Sequence, residues 1–505
     1  MGARGAGPRP RCDLALRSWE WPPPAMIGEP SNPIGFAYGS VPVVGSRNSA
    51  GTGTTDTPTF AQAPAAVCGQ HDLNARAPTA QKSVDDLGGP SLNSIQISGL
   101  RAEPSPRLAD MIRLSVEVRY PGRFSSSERA WFEIPEIFAS EATPRGDPWL
   151  LSYLPLAVAL GHPIETDLPV DQQLIDNVRS LMEIWARWYP GMAPVELQVG
   201  VAAPSGRQPP ERTGLFFSAG VDSFYSLLRT EEIGDPHIDD LLVLHGFDFE
   251  VDNDRAMAAV MDTANAVARE FGKVVVPIGT NIRETRFGEA SWSELAAGCL
   301  LGGAGLILGG RYRHLLISST LAPGHFRPHA SHPETDPLFS TAQTSFVHFG
   351  EDLSRIPKLQ YLQPHPIAMR NLRVCYESDD GSNCSRCLKC VVVMSMLELI
   401  GSLEQATTFG DKELDLDLIR GTYLSQGAVS FRQIKEFALS IGRLDVAEAV
   451  DSAFARTQWI DRWLLFRWLR TARERWQYDP LLRRWTAWLR PWLWRLGRRL
   501  NRLAP

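Results

Sequence analysis

Between residues 213 and 318, short apolar runs alternate with longer amphipathic stretches, and this rhythm constrains the fold more than any other feature of the chain. Residues 214–217, 241–245, 274–278 and 314–318 are strand-length and rich in Leu, Val, Ile and Phe. Runs of this kind suit strands buried on both faces. Between them, 221–229, 254–271 and 292–308 have helical spacing. Strict β–α alternation predicts an α/β fold with a doubly wound parallel sheet, whose ligands bind beyond the carboxyl ends of the strands. The most apolar run, 295–310, is rich in Gly and Ala and leads straight into a strand. It reads as a helix packed on the sheet rather than a membrane span.

The flanking regions have other patterns. Residues 1–90 hold 12 Gly and 12 Pro without periodicity, so 1–105 is expected to be a disordered Gly/Pro-rich segment. Residues 106–208 read as a small α+β domain, with strands at 112–118, 130–134 and 195–201 and helices at 149–160 and 170–189; no chemical motif stands out there. The α/β domain spans 209–370, a cysteine cluster 371–395, a helical region 396–455 and an Arg/Trp-rich tail 456–505. Among 505 residues, 44% are apolar and 21% charged, which excludes a wholly disordered or collagen-like chain. Seven cysteines are too few for a disulfide framework and suit a reducing compartment. No secretory leader follows Met1, so a cytoplasmic location is expected.

Ser218-Ala219-Gly220-Val221-Asp222-Ser223 lies between the first strand and its helix. Small residues let backbone N–H groups approach phosphate oxygens, and the helix N-terminus adds partial positive charge. Ser218 and Ser223 add hydroxyl donors, while Asp222 suits a bound Mg²⁺ or a helix cap. This segment resembles the pyrophosphate loop (SGGxDS) of the ATP pyrophosphatase, or PP-loop, superfamily. Ser218, Gly220, Asp222 and Ser223 match it, while Ala219 stands at the usual first glycine and is expected to require a negative φ. The resemblance implies ATP and Mg²⁺ as ligands, cleavage between the α and β phosphates, and adenylation of a substrate oxygen.

Cys375, Cys384, Cys387 and Cys390 follow as C-x8-C-x2-C-x2-C. Four thiolates at this spacing can surround Zn²⁺ with no open position, which makes the site structural; an iron–sulfur cluster and metal-free thiols are the rival readings. Loop and cluster together, over about 213–400, resemble the 7-cyano-7-deazaguanine synthase family, in which the cysteines hold structural zinc and a carboxylate becomes a nitrile with ATP and ammonia. That family's deazapurine-recognition segment has no counterpart here. Residues 328–338 stand instead, which implies a different small-molecule substrate.

Other site candidates cluster at expected strand ends. Ser318, Ser319 and Thr320 end the fourth strand, and His325, His329, His332 and Asp336 follow. Of these, His332 and Asp336 are the chosen substrate-binding candidates. Lys358 lies where the superfamily has a basic residue near the phosphates, and joins Ser218 and Asp222 as a catalytic candidate. Arg283 and Arg286 are weaker versions of the same idea. His245 and Asp248 end the second strand, where adenosine would lie, and His245 joins residues 218–223 as a nucleotide-binding candidate. Cys299 lies in an apolar helix and reads as a structural residue.

The resemblance implies an AMP- and pyrophosphate-forming ligase in which a nitrogen nucleophile attacks the adenylate. The alternatives are a sulfur transferase, a tRNA-modifying enzyme and a non-catalytic ATP-binding scaffold. From Arg456 onward 13 Arg face three acids, so the tail carries +10 and the remainder −16. Eight Trp interleave with these Arg, which suits peripheral contact with an anionic membrane surface or an acidic protein partner. Nucleic acid is disfavoured by the acidic core.

Overall fold

Alternating Ile95 and Ile97, both buried, open the first strand, and nine more strands extend the same sheet. The computed structural model describes residues 93–122, 126–203, 210–378, 380–424 and 428–462. The Gly/Pro-rich stretch up to residue 92 and the tail from 463 lie outside the described residues.

In chain order, β1 (Ile95–Pro104), β2 (Met111–Arg119) and β3 (Ser127–Pro135) form an antiparallel meander. Then come α1 (Asp147–Leu160), β4 (Ile164–Val170), α2 (Gln172–Trp188) and β5 (Leu197–Val201). The alternating units follow: β6 (Arg212–Phe216), α3 (Val221–Ile233), β7 (Asp240–His245), α4 (Asp254–Phe271), β8 (Val274–Thr280), α5 (Ala297–Leu306), β9 (Tyr312–Ser318) and β10 (Ser345–Phe349). Helices complete the chain: α6 (Arg355–Leu362), α7 (Pro366–Asn371), α8 (Leu388–Leu399), α9 (Leu416–Gly421), α10 (Ala428–Ser440) and α11 (Leu444–Arg462).

The strand order is β10-β9-β6-β7-β8-β3-β2-β1-β4-β5. Within the set β6 to β10 every pairing is parallel, as the alternating pattern predicts, while β8 meets β3 antiparallel on its other side. From β6 the chain winds outward to β7 and β8 on one side and returns to β9 and β10 on the other. The carboxyl ends of β6 and β9 therefore flank the point where the winding reverses, the usual ligand crevice of such sheets.

Three expectations change. Order begins at β1, inside the segment expected to be disordered, because the Ile95/Ile97 alternation buries one strand face. Residues 164–170, where no strand was expected, form β4 by parallel pairing to β1 and β5, and the helix expected from 170 begins at Gln172. The region 106–208 does not stand apart: β3 pairs with β8 at Phe132 and Glu133, and both regions contribute to one apolar core. At this junction α1 lies so close to α5 that a Cβ on Gly303 would stand 2.0 Å from Ser152 Oγ. Among the described residues no helix is long and apolar enough to cross a membrane.

Candidate functional site

The loop from Ser218 to Ser223 leaves β6 and enters α3, so the first helical N–H groups face the crevice at the reversal point. Ser218 is exposed and Gly220 half-buried. Inside the loop, Gly220 N donates to Ser218 Oγ (3.3 Å) and Ser223 Oγ donates to Gly220 O (3.2 Å). Val221 is buried as the first residue of the helix. Ala219 has φ +57°, which corrects the expectation of a negative φ. The turn keeps the left-handed conformation that glycine adopts freely, at a cost of about 1 kcal/mol for alanine. Ala219 is buried, and its carbonyl accepts from Arg373 N at 2.8 Å, which pins the turn in place.

Asp222 carries most of the loop's chemistry. Its carboxylate accepts from Arg355 Nη2 (2.9 Å), Lys358 Nζ (3.4 Å) and Thr320 Oγ1 (3.2 Å). These donors come from α6 and from the turn after β9, so one carboxylate bridges both sides of the reversal point. Burial pushes the carboxyl upward, but the positive charges of Arg355 and Lys358 outweigh it and hold Asp222 below the ordinary range. Lys358 is fully buried and also donates to the Ser319 carbonyl at 2.5 Å. Burial lowers its pKa, with Asp222 opposing. Arg355 Nε is buried without a hydrogen-bond partner, a spare donor beside the carboxylate. Sequence reading missed Arg355, although its i, i+3 spacing from Lys358 on α6 puts both on one helix face.

His245, at the end of β7, is buried beside Phe249, with ring centroids 5.5 Å apart. Burial, helped by the charge of Arg107, pushes it down to about 4, so it is neutral near pH 7. Asp248 pairs with Arg373 Nη1 at 3.2 Å. Arg286 pairs with Glu289 and Arg283 stacks over Trp292; neither shares the Asp222 cluster. Cys299 is fully buried in α5, and burial raises its thiol pKa well above normal, the opposite of an activated thiolate.

Next to the loop, a cavity is lined by Ser319, Thr320, Phe326, His329, His332 and His348, among others. His332, the substrate-binding candidate, lines it; burial lowers its pKa, and its ring meets Trp188 of α2 at 4.8 Å. Asp336 is corrected from substrate contact to loop organiser. It is fully buried and accepts from Ser331 Oγ (2.7 Å), His332 N (3.1 Å) and His348 Nδ1 (2.7 Å). Its oxygens are filled by the chain itself. Sequence reading missed His348, which the structure places on β10 beside β9; the short apolar run 345–349 is the signal that could have found its strand.

The cysteine cluster is assembled as its spacing implies. The four Sγ atoms lie within 4.8 Å of one another. Cys375–Cys387 and Cys384–Cys390 are each 3.9 Å apart. Thiolates bound at about 2.3 Å to one tetrahedral ion stand roughly 3.8 Å apart, so the donor set fits a metal such as zinc. Backbone N–H groups of Glu377 and Cys387 donate to Cys375 and Cys384 Sγ, at 3.3 and 3.2 Å. The cysteine loop is tied to the Ser218–Ser223 turn through Arg373, whose Nε donates to Gly381 O at 3.1 Å while its N–H holds Ala219.

A scan against family models, a search of curated proteins and a search of solved structures found no match for the chain.

Proposed function

We propose that the protein binds ATP with Mg²⁺ at the Ser218–Ser223 loop, adenylates a carboxylate or carbonyl oxygen of a small molecule, and passes the activated carbon to a nitrogen nucleophile. The observation that carries this reading is the Asp222 bridge at the reversal point, with two cations beside a helix N-terminus. Negative charge develops on pyrophosphate as the α-phosphorus is attacked, and fixed positive groups lower that barrier most where water is excluded. Lys358 and Arg355 are such groups, and Ser218, Ser223 and the loop N–H groups supply neutral donors. Asp222 suits a Mg²⁺ ligand that travels with the nucleotide. The reading is supported by the PP-loop resemblance of the loop and by this charge cluster, and on it the four-cysteine site is structural because its thiolates leave no open position.

Sulfur transfer is disfavoured by the burial of Cys299 and its raised pKa. The test is ³¹P NMR of ATP incubated with the purified chain, Mg²⁺, ammonium chloride and a panel of carboxylates (acetate, benzoate, nicotinate). AMP and pyrophosphate are expected, dependent on a carboxylate and lost in the Ser218→Ala/Asp222→Ala double variant. ADP and phosphate as products, or a double variant with wild-type rate, would contradict the reading.

A further inference from the structure

A buried histidine–carboxylate pair stands at the cavity beside the phosphate loop. His348 comes from β10, and its side chain is 5% exposed. Asp336 Oδ2 lies 2.7 Å from Nδ1, and this carboxylate already accepts from Ser331 Oγ and His332 N. The proton of that contact is therefore assigned to His348 Nδ1, which leaves a lone pair on Nε2. Nε2 is buried and has no hydrogen-bond partner. A histidine present only to fasten the loop would satisfy both nitrogens or expose one.

The cavity that His348 lines shares a wall with the Asp222 cluster. Thr320 bonds Asp222, the Ser319 carbonyl holds Lys358, and both residues line the cavity. An acyl carbon activated at the loop would thus border a space containing an oriented imidazole.

We propose that this cavity is the subsite for the nucleophile, ammonia or a primary amine, and that His348 is its general base with Asp336 as positioning residue. The inference rests on the adenylation reading. The amine nitrogen attacks the acyl carbon and forms the N–C bond. The C–O bond to the phosphate breaks, and AMP leaves with the electron pair. The proton shed by nitrogen goes to His348 Nε2. Asp336 keeps Nδ1–H and steadies the imidazolium, as the carboxylate does in a Ser-His-Asp triad.

The experiment uses the full chain with ATP, Mg²⁺, ammonium chloride and whichever carboxylate of the panel gives most AMP, and measures the ratio of amide to AMP formed. His348→Ala is expected to lower that ratio about 10²-fold or more, the usual range of general-base catalysis, with hydrolysed adenylate making up the difference. Added imidazole restores the ratio in His348→Ala and not in Asp336→Asn, a rescue that a purely structural role would not produce. Circular dichroism verifies folding, and His348→Gln, which keeps a donor toward Asp336, replaces a variant that does not fold. An unchanged ratio in a folded His348 variant overturns the base assignment alone. A wild-type chain that forms no AMP with any carboxylate overturns the adenylation reading and this role with it.

Discussion

Asp240 and Asp222 sit at opposite ends of the parallel strands, and each is a carboxylate between two cations. Asp240, at the start of β7, is fully buried against Arg212 and Arg311. Arg311 is itself closed off: Nη1 pairs with Glu141 at 2.9 Å, and its guanidinium lies 4.0 Å over the Phe138 ring. Asp222, at the carboxyl end of β6, keeps 17% of its side chain exposed beside Arg355 at 23%, and Arg355 Nε has no partner. Arg212 keeps 37% of its side chain exposed, yet the Asp240 carboxylate itself is sealed, whereas the Asp222 carboxylate is reachable and has a spare donor beside it. A closed cluster can only stabilise, whereas an open one can exchange its partners for a phosphate or a metal ion.

The comparison breaks most readily at the four-cysteine site. Bound zinc is worth about 10–16 kcal/mol in small zinc-finger peptides, so if these thiolates hold zinc, a chelator should have the largest effect. Because Arg373 links the cysteine loop to Ala219, hydrogen exchange should then quicken at residues 218–223 and not at Asp240. Equal loss at both ends would erase the distinction. Next, Asp240→Ala leaves the buried Arg311 without its carboxylate, while Arg212 is 37% exposed and rehydrates; it should cost about 3 kcal/mol, the low end for breaking a buried pair, read as a fall in the denaturant midpoint. Asp222→Asn should instead lower AMP formation about 10²–10³-fold with a smaller shift in midpoint.

Asp147 sharpens the comparison, since this buried carboxylate has Arg145 as its main cation. Burial, opposed by Arg145, raises it to about 6. Its contribution is therefore fully present below the unfolded value near 3.9 and is lost as pH rises through about 6. Asp222 runs the other way: its depressed pKa means that its contribution holds above the unfolded value and is lost as pH falls below it. Asp147→Asn should thus gain about 2–3 kcal/mol at pH 8 and little at pH 4, measured by denaturant titration at both. The smallest effect is at the loop itself. Ala219→Gly relieves the left-handed φ and should change stability by about 1 kcal/mol or less, because glycine also loosens the unfolded chain.

The alternating half of the sheet was largely legible in the sequence. Helix α4 falls at its expected bounds, and β6 to β9 lie within a few residues of theirs, because long amphipathic runs and fully apolar strands have distinct periods. Strand β4 was not legible: Ile-Glu-Thr-Asp-Leu-Pro-Val has weak local preference, and tertiary pairing between β1 and β5 decides it. Of the site, the loop and the cysteines carry their chemistry in contiguous or closely spaced residues, and Lys358 reached the same cluster through resemblance. Arg355 and His348 were missed because their partners lie 133 and 12 residues away. The role of the N-terminal region was hidden for the same reason. It has no motif of its own, yet Trp188 of α2 packs on His332 and Asn177 Nδ2 donates to Ser340 O at 2.9 Å, bracing the cavity loop.

The claim that the Ser218–Ser223 turn holds the β and γ phosphates is tested most directly by a crystal structure with an ATP analogue that cannot be cleaved between the α and β phosphates. The account predicts those two phosphates on the loop N–H groups and the Ser218 and Ser223 hydroxyls, with at least one of Arg355 and Lys358 turned from Asp222 to phosphate oxygen. Nucleotide bound elsewhere, with the turn empty and both cations still on Asp222, would contradict it.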